Sequence, residues 1–251
     1  MAIRTPAGAA WPPFLPSPDT VPAEVVSTVE RVWAHPTLVR TVEGVAAPVP
    51  FAVYARFIDA PDLTAAAARH LGLARYEVRM VGDRRYEADD HDGARGIYRV
   101  LVDDPGRRVI LSSGRHTGTL LGTIRGHALT VLTFREDGGE TRQQLTAYVL
   151  IENRVAALLA RALVPVFGGL ADRKLTEGFR VTAQVAEWAV RRPAEFCRWL
   201  ASEPVPRAEV ARVAQVVDRC QLDVAESAPA ALGAAPRDRA PARADPPPAS
   251  R

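Results

Sequence analysis

Two hydrophobic rhythms divide the chain. Between Tyr76 and Ile151, apolar and β-branched residues come in short runs broken by turns, whereas after Asn153 the apolar spacing lengthens to that of an amphipathic helix. The short runs predict strands over Tyr76–Val81, Arg84–Ala88, Ile97–Val102, Arg108–Ser113, Thr119–Ile124, Ala128–Phe134 and Gln143–Ile151. Their links are MVGDRR, DDHDGARG, DDPGRR, SGRHTG, RGH and EDGGE, nearly all carrying Gly and several carrying Asp. Links this short cannot make parallel crossovers, so the strands form an antiparallel meander.

The helical part starts with NRVAALLARALVPVFGGL, broken at Pro165 and at Gly168–Gly169, and continues as ADRKLTEGFRVTAQVAEWAVRR. In the longer piece Leu170, Leu175, Gly178, Phe179, Thr182, Val185, Ala186 and Ala189 share one side. Asp172, Arg173, Thr176, Glu177, Arg180, Gln184, Glu187 and Arg191 occupy the other, with Arg173 to Glu177 and Glu187 to Arg191 at ion-pair spacing. A curved sheet cannot bury its inner face alone. One helix laid across that face leaves a shielded interior, so the pattern predicts an α+β container for apolar molecules.

The flanking segments add elements to this unit. Residues 1–19 carry Pro12, Pro13, Pro16 and Pro18 and read as a flexible or extended leader. A helix follows, with Thr20 as a capping residue, Pro22 near its first turn, an apolar side of Val25, Val26, Val29 and Val32, and a stop at Pro36. Leu38–Val45 could be a strand. The segment FAVYARFI, Phe51–Ile58, reads as a strand from its aromatic and β-branched content, and DLTAAAARHLG as a short helix capped by Asp62 and closed by His70 and Gly72. Beyond Arg191, PAEFCRWLAS and RAEVARVAQVVDRCQL predict two helices that pack on the body or on a partner. From Ala225 the Pro/Ala/Arg-rich tail reads as disordered. The expected division is therefore a leader over 1–19, a helix and connector over 20–49, a ligand-binding domain over 50–191, a helical extension over 192–224 and a tail over 225–251.

A strand, a short helix, an antiparallel meander and a long helix across the concave face form an order that resembles the START-like superfamily (SRPBCC, helix-grip). Its members include lipid-transfer domains and polyketide cyclases. The stretches that carry the likeness are VPFAVYARFIDAPDLTAAAARHLG, IYRVLVDDPGRRVILSS, HALTVLTFREDGGETRQQLTAYVLIEN and GGLADRKLTEGFRVTAQVAEWAV. The resemblance implies a curved antiparallel sheet gripped by a long C-terminal helix, with a lipid, a polyketide or another apolar molecule held between them. The residues it implies as lining are Met80, Tyr98, Leu132, Phe134, Tyr148, Leu175 and Phe179. This superfamily has no universal catalytic signature to match. The N-terminal helix and the helices after Arg191 are additions to its usual unit and leave a regulatory or oligomeric role open.

Composition narrows the partners. Of 251 residues 47% are hydrophobic and 24% charged, and the net charge of +3 comes from 32 basic and 29 acidic residues with the signs interspersed. That balance speaks against a nucleic-acid partner, and the predominance of Arg, with Lys174 the only Lys, reads as compositional bias. Cys197 and Cys220 have no metal-ligand neighbours at zinc spacing and read as two reduced thiols. The N-terminus lacks a continuous apolar core, and no run of about eighteen uncharged apolar residues occurs, so a cytoplasmic, non-spanning protein is expected.

Candidate chemistry is sparse. The cluster Glu87, Asp89, Asp90, His91 and Asp92 resembles a calcium loop, but aligning Gly93 with the loop glycine puts Ala88 at the first ligand position and Arg99 where a glutamate is needed. No metal site follows. His116 and His127 could approach across a hairpin, near Ser112, Ser113 and Thr117, yet no nucleophile motif frames them, and no glycine-rich nucleotide motif follows any strand. No cofactor is expected. Arg79, Arg95, Arg99, Arg107, Arg108, Arg115 and Arg125 either steer an acidic headgroup to a pocket mouth or simply face solvent. Leu163, Val164, Val166 and Phe167 either pack in the core or form a lid or an edge that touches membrane transiently, core packing being the stronger expectation. The resulting expectation is non-catalytic carriage of a hydrophobic small molecule. The alternatives are a cyclase or dehydratase in which His116, Arg99 or Tyr148 moves protons, and an interaction module that binds a protein through the 193–222 helices.

Overall fold

The computed structural model describes residues 11–118, 122–153, 176–204, 207–215, 217 and 220. Its elements in chain order are α1 (Ala23–Ala34), β1 (Leu38–Glu43), α2 (Phe51–Asp59), α3 (Pro61–His70), β2 (Glu77–Gly82), β3 (Arg85–Asp89), β4 (Ala94–Asp104), β5 (Arg107–Gly118), β6 (Gly122–Asp137) and β7 (Glu140–Ile151). Then follow α4 over 176–191, α5 (Pro193–Ser202) and α6 (Arg207–Ala214). The strands form one antiparallel sheet of seven in the order β1-β7-β6-β5-β4-β3-β2. This is the expected meander, with β1 returning to close the far edge beside β7. The architecture is α+β, a curved antiparallel sheet gripped on its inner face by a C-terminal helix.

Turn chemistry sets the registers. Gly138 and Gly139 both have positive φ, 62° and 83°, which a two-residue hairpin between β6 and β7 demands and which costs little without a Cβ. Register shifts at Met80/Gly82 and at Val100/Val102 add local bends to β2 and β4. The sheet curls accordingly.

Both faces of the central strands are buried, against different partners. On the concave side, Leu132, Phe134, Leu145 and Ala147 join Tyr54 and Phe57 of α2, Leu63 of α3, Val185 and Trp188 of α4, Phe196 and Leu200 of α5, and Val213 of α6 in one core. On the convex side, Val109, Leu111, Leu129 and Tyr148 are covered by Val29, Val32 and Trp33 of α1 and by Leu15 from the preceding segment. Phe14 lies 5.4 Å from Trp33 and 5.6 Å from Tyr148, ring centre to ring centre, each such pair contributing about 0.5–1.5 kcal/mol beyond area burial. The leader expected to be a flexible or extended arm is therefore, from Trp11 onward, part of the convex cover. Proline blocks regular structure there but does not prevent apolar side chains from packing.

Several expectations change. Phe51–Ile58 is helical, because Val53, Tyr54 and Phe57 fall on one buried face behind Pro50. Its β-prone composition is overruled by a helical spacing that the core can use, and β1 already occupies the sheet edge beside β7. The α3 helix starts at Pro61, so Asp62 lies inside the first turn, where its carboxylate accepts the Leu63 amide. Thr119–Ile124 and Ala128–Phe134 are not separate strands. The supposed RGH link lies within β6, and residues 119–121 and the lid candidates Leu163–Phe167 are outside the described residues. Cys197 and Cys220 are joined in a disulfide, since α5 and the segment after α6 pack on the same core and bring together two thiols that lie 23 residues apart in sequence. The helical extension is thus part of the body: Phe196, Leu200 and Val213 are almost wholly buried.

Candidate functional site

Glycines open the inner face. Ala88 pairs with Gly96, Gly96 with Gly114, Gly114 with Gly126 and Gly126 with Ile151, so a row of minimal side chains crosses four adjacent strands on the concave side. The curl is tight here: a Cβ at Gly96 would come within 2.7 Å of the Ser113 carbonyl oxygen, and one at Gly126 within 2.7 Å of that of Leu150. Glycine both permits the bend and leaves the floor bare.

Above this floor lies a cavity of about 1200 Å³. Its walls include Leu73 and Tyr76 from the α3–β2 connector, Val78 of β2, Tyr98 of β4, Ser112 of β5, Ala128 of β6, Val149 of β7 and Glu177 and Gly178 of α4. The connector is held by Arg69, whose guanidinium donates to the Tyr76 carbonyl at 2.9 Å. A second cavity of about 370 Å³ lies deeper under α2 and shares Tyr98 and Ser112 with the first. Tyr98 thus stands between the two, stacked on Tyr86 at 5.1 Å. Burial above all, with the neighbouring Tyr86 adding to it, holds the Tyr98 phenol well above its usual range. Burial likewise raises Tyr76. Both remain neutral hydroxyls, suited to orienting a ligand rather than to acting as bases.

The inner cavity has a charged base. Arg108 is buried and donates to both carboxylate oxygens of Asp59, at 2.7 and 2.8 Å, and lies 2.8 Å from Asp103. Its charge is therefore compensated, and it ties α2 to β4 and β5.

The residues expected to line the cavity are dispersed. Tyr98 borders both cavities, and Leu132 borders the inner one. Met80 lies on an outer pocket near the sheet edge with Arg79 and Glu203. Phe134 and Phe179 are packed in the solid part of the core, Phe134 near Phe51 and Tyr54. Tyr148 is on the opposite face of the sheet beneath Trp33, 5.1 Å away, so its assignment to the cavity fails on strand parity. Leu175 lies outside the described residues. What was missed are the small residues: Ala88, Gly96, Gly114 and Gly126 make the space, and a search for large apolar residues passes over them.

The histidines separate likewise. His116 pairs with Ile124 and borders the cavity, whereas His127 pairs with Ser113, three residues away on the other face. Ser113 Oγ is 2.8 Å from His127 Nδ1, and His127 Nε2 is 3.0 Å from Glu152 Oε1. This hydroxyl–imidazole–carboxylate chain runs from β5 across β6 to Glu152, just past the end of β7. Arg99 is tied to Glu24 at 2.9 Å and shares the convex face with Tyr148, so His116, Arg99 and Tyr148 do not converge. Asp89 is pulled below the usual carboxylate range, first by the His91 amide and then by Arg95. Among the described residues no cluster of His, Cys, Asp or Glu could hold a metal ion. None of their helices is long and apolar enough to cross a membrane.

No protein-family model matches the chain, and no curated protein matches it. Solved structures similar to it include a conserved protein from Geobacillus kaustophilus (17% identity, TM-score 0.43, covering 60% of this chain and 93% of that one). Others are Ara h 8.0201 (13%, 0.39, 59% and 98%) and the di-domain ARO/CYC BexL from the BE-7585A biosynthetic pathway (16%, 0.38, 65% and 53%).

Proposed function

We propose that this protein binds and carries a hydrophobic small molecule in the cavity between the sheet and α4. The observation that carries the reading is the bare floor: a row of Ala and Gly beneath about 1200 Å³ of space, walled by Leu73, Val78, Tyr98, Ala128 and Val149. Apolar burial at roughly 25 cal/mol per Å² supplies the attraction, and the Tyr98 and Ser112 hydroxyls give it orientation. A lipid or a polyketide-like molecule fits these walls. Cytoplasmic location, expected from the sequence, sits poorly with a closed Cys197–Cys220 bridge, because reducing compartments keep thiols open.

Native mass spectrometry of protein purified from its host tests carriage. An added mass that organic extraction releases, and that Ala128→Trp abolishes while the protein stays folded, is the expected result. Protein without added mass, together with an environment-sensitive apolar dye that binds wild type and Ala128→Trp alike, would remove the reading.

A further inference from the structure

Alternation along β5 and β6 is unbroken, and it sets Ser113, Arg115, His127 and Arg125 on the convex face with Leu111 and Leu129. The helical cover of that face stops short of them. Glu24, in the first turn of α1, reaches Arg99, which is paired with Leu111. Two residues further along the same face Ser113 is only half-buried, and beyond it Arg115 is exposed.

The hydrogen bonds of the His127 imidazole fix its tautomer. A carboxylate can only accept, so Nε2 carries the proton shared with Glu152 Oε1 at 3.0 Å. In the neutral ring Nδ1 then has a free lone pair, and the Ser113 hydroxyl at 2.8 Å donates to it. This is a nucleophile beside its base, with the base oriented by a third group. Backbone holds the parts in place: Ser113 and His127 are directly opposed in the ladder, and the Glu152 amide donates to the Arg125 carbonyl at 3.0 Å. The imidazole is mostly shielded, its side chain 15% exposed, whereas Ser113 keeps access to solvent. Ile97, set opposite Ser113 on β4, is among the large apolar side chains left exposed.

Positive charge stands next to the hydroxyl. Arg115 and Arg125 are opposed two residues beyond Ser113 and His127, roughly 7 Å along the strands, a distance an arginine side chain spans. Among the described residues neither has a carboxylate partner, since Asp89 is held by Arg95 and Glu152 by His127. Two guanidiniums with no acid between them suit an oxyanion at the Ser113 end and a second anionic group at the other.

We infer that Ser113, His127 and Glu152 form a hydrolytic site on the convex face, outside the cavity, for acyl esters that carry a carboxylate or phosphate of their own. Ser113 Oγ attacks the acyl carbon as its proton passes to His127 Nδ1, and negative charge gathers on the carbonyl oxygen beside the guanidiniums. The bond from the acyl carbon to the leaving alcohol oxygen then breaks, and that oxygen takes the proton from Nδ1. Water repeats the sequence on the acyl-serine: it gives a proton to Nδ1, adds to the acyl carbon and leaves as part of a carboxylic acid while Ser113 recovers its hydrogen. Glu152 is a positioning residue, which keeps Nδ1 facing the hydroxyl. Ile97 offers the acyl chain an apolar support. The site stands apart from the cavity, so it holds whether or not the cavity is occupied.

The test compares p-nitrophenyl adipate monoester with p-nitrophenyl hexanoate, which has the same chain length without the charge, on the full chain. A fluorophosphonate, which modifies activated serines, is used alongside. Wild type is expected to turn over the adipate ester with kcat/KM at least about tenfold above that for the hexanoate, and peptide mapping should find the phosphonyl group on Ser113. Ser113→Ala and His127→Gln should each lower kcat at least about 100-fold, and the labelling of wild type decides even if a variant fails to fold. Glu152→Gln should lower kcat at least about tenfold at unchanged KM, with Glu152→Asp restoring most of it, a split that loss of a merely structural contact would not give. The Arg115→Gln/Arg125→Gln double variant should be slower on both esters and lose the preference for adipate. Folded wild type without label on Ser113, or turnover that survives Ser113→Ala and His127→Gln, would overturn the site. Equal kcat/KM for the two esters would overturn the assigned substrate class.

Discussion

The two ends of the concave face share strands, curvature and a covering helix, and differ in side-chain size. At one end Leu132, Phe134 and Leu145 join Tyr54, Phe57 and Phe179 in the core, which leaves only the smaller cavity of about 370 Å³ beside Leu132 and Leu145. At the other, the small residues Ala88, Gly96, Gly114 and Gly126 border the larger cavity. Stability is concentrated where the face is filled, and binding capacity where it is empty. A container in this fold therefore comes from locally withholding side chains, while the packed end supplies the free energy that keeps the unpacked end in shape.

Breaking the filled end should have the largest effect. Phe196, wholly buried against Phe57 and Trp188, is expected to cost about 3–5 kcal/mol when changed to Ala, read from urea denaturation. Little loss would mean that α5 is a separable module. Cys197→Ser is expected to cost about 2–4 kcal/mol by releasing the α5–Cys220 tether, with the same shift produced in wild type by a reductant. A titration finding two free thiols in unreduced protein would refute the bridge.

The open end should respond differently. Gly96→Ala is expected to lose about 1–3 kcal/mol, because its Cβ would meet the Ser113 carbonyl at 2.7 Å, whereas Ala128→Trp should abolish dye binding with a smaller stability change. Should both variants lose stability equally and keep dye affinity, the contrast between the ends would collapse. Arg115→Gln, which removes one of the two like charges that β5 and β6 set opposite each other at Arg115 and Arg125, is expected to raise stability by about 0.2–1 kcal/mol at low salt, an increment that added salt removes. Smallest of all, Tyr148→Phe should leave ligand affinity unchanged in a binding titration, because the ring is buried under Trp33 on the convex face.

Much of this was legible in the chain's pattern. Period-two runs between glycine turns dictate the meander, since short links can join only antiparallel neighbours, and the 3.6-residue spacing of Phe179, Thr182, Val185, Ala186 and Ala189 dictates a helix with one buried side. Both depend on local geometry, which neighbouring residues decide among themselves. The Phe51–Ile58 segment shows where that stops: its residue types favour a strand, and only the presence of β1 at the sheet edge and of a core for Val53, Tyr54 and Phe57 selects the helix.

Tertiary structure alone decided the rest. Which parity of each strand faces the helix depends on register, so Tyr98 and Tyr148, equally apolar in sequence, are sent to opposite faces. Pairing across strands aligned Gly96, Gly114 and Gly126, although nothing in their sequence spacing links them. The two cysteines met because α5 and the segment after α6 settle on one core. Sequence periodicity determines which elements form, because that choice is made within a few residues. The cavity and the bridge are relations between distant segments, and their energies exist only once those segments are packed.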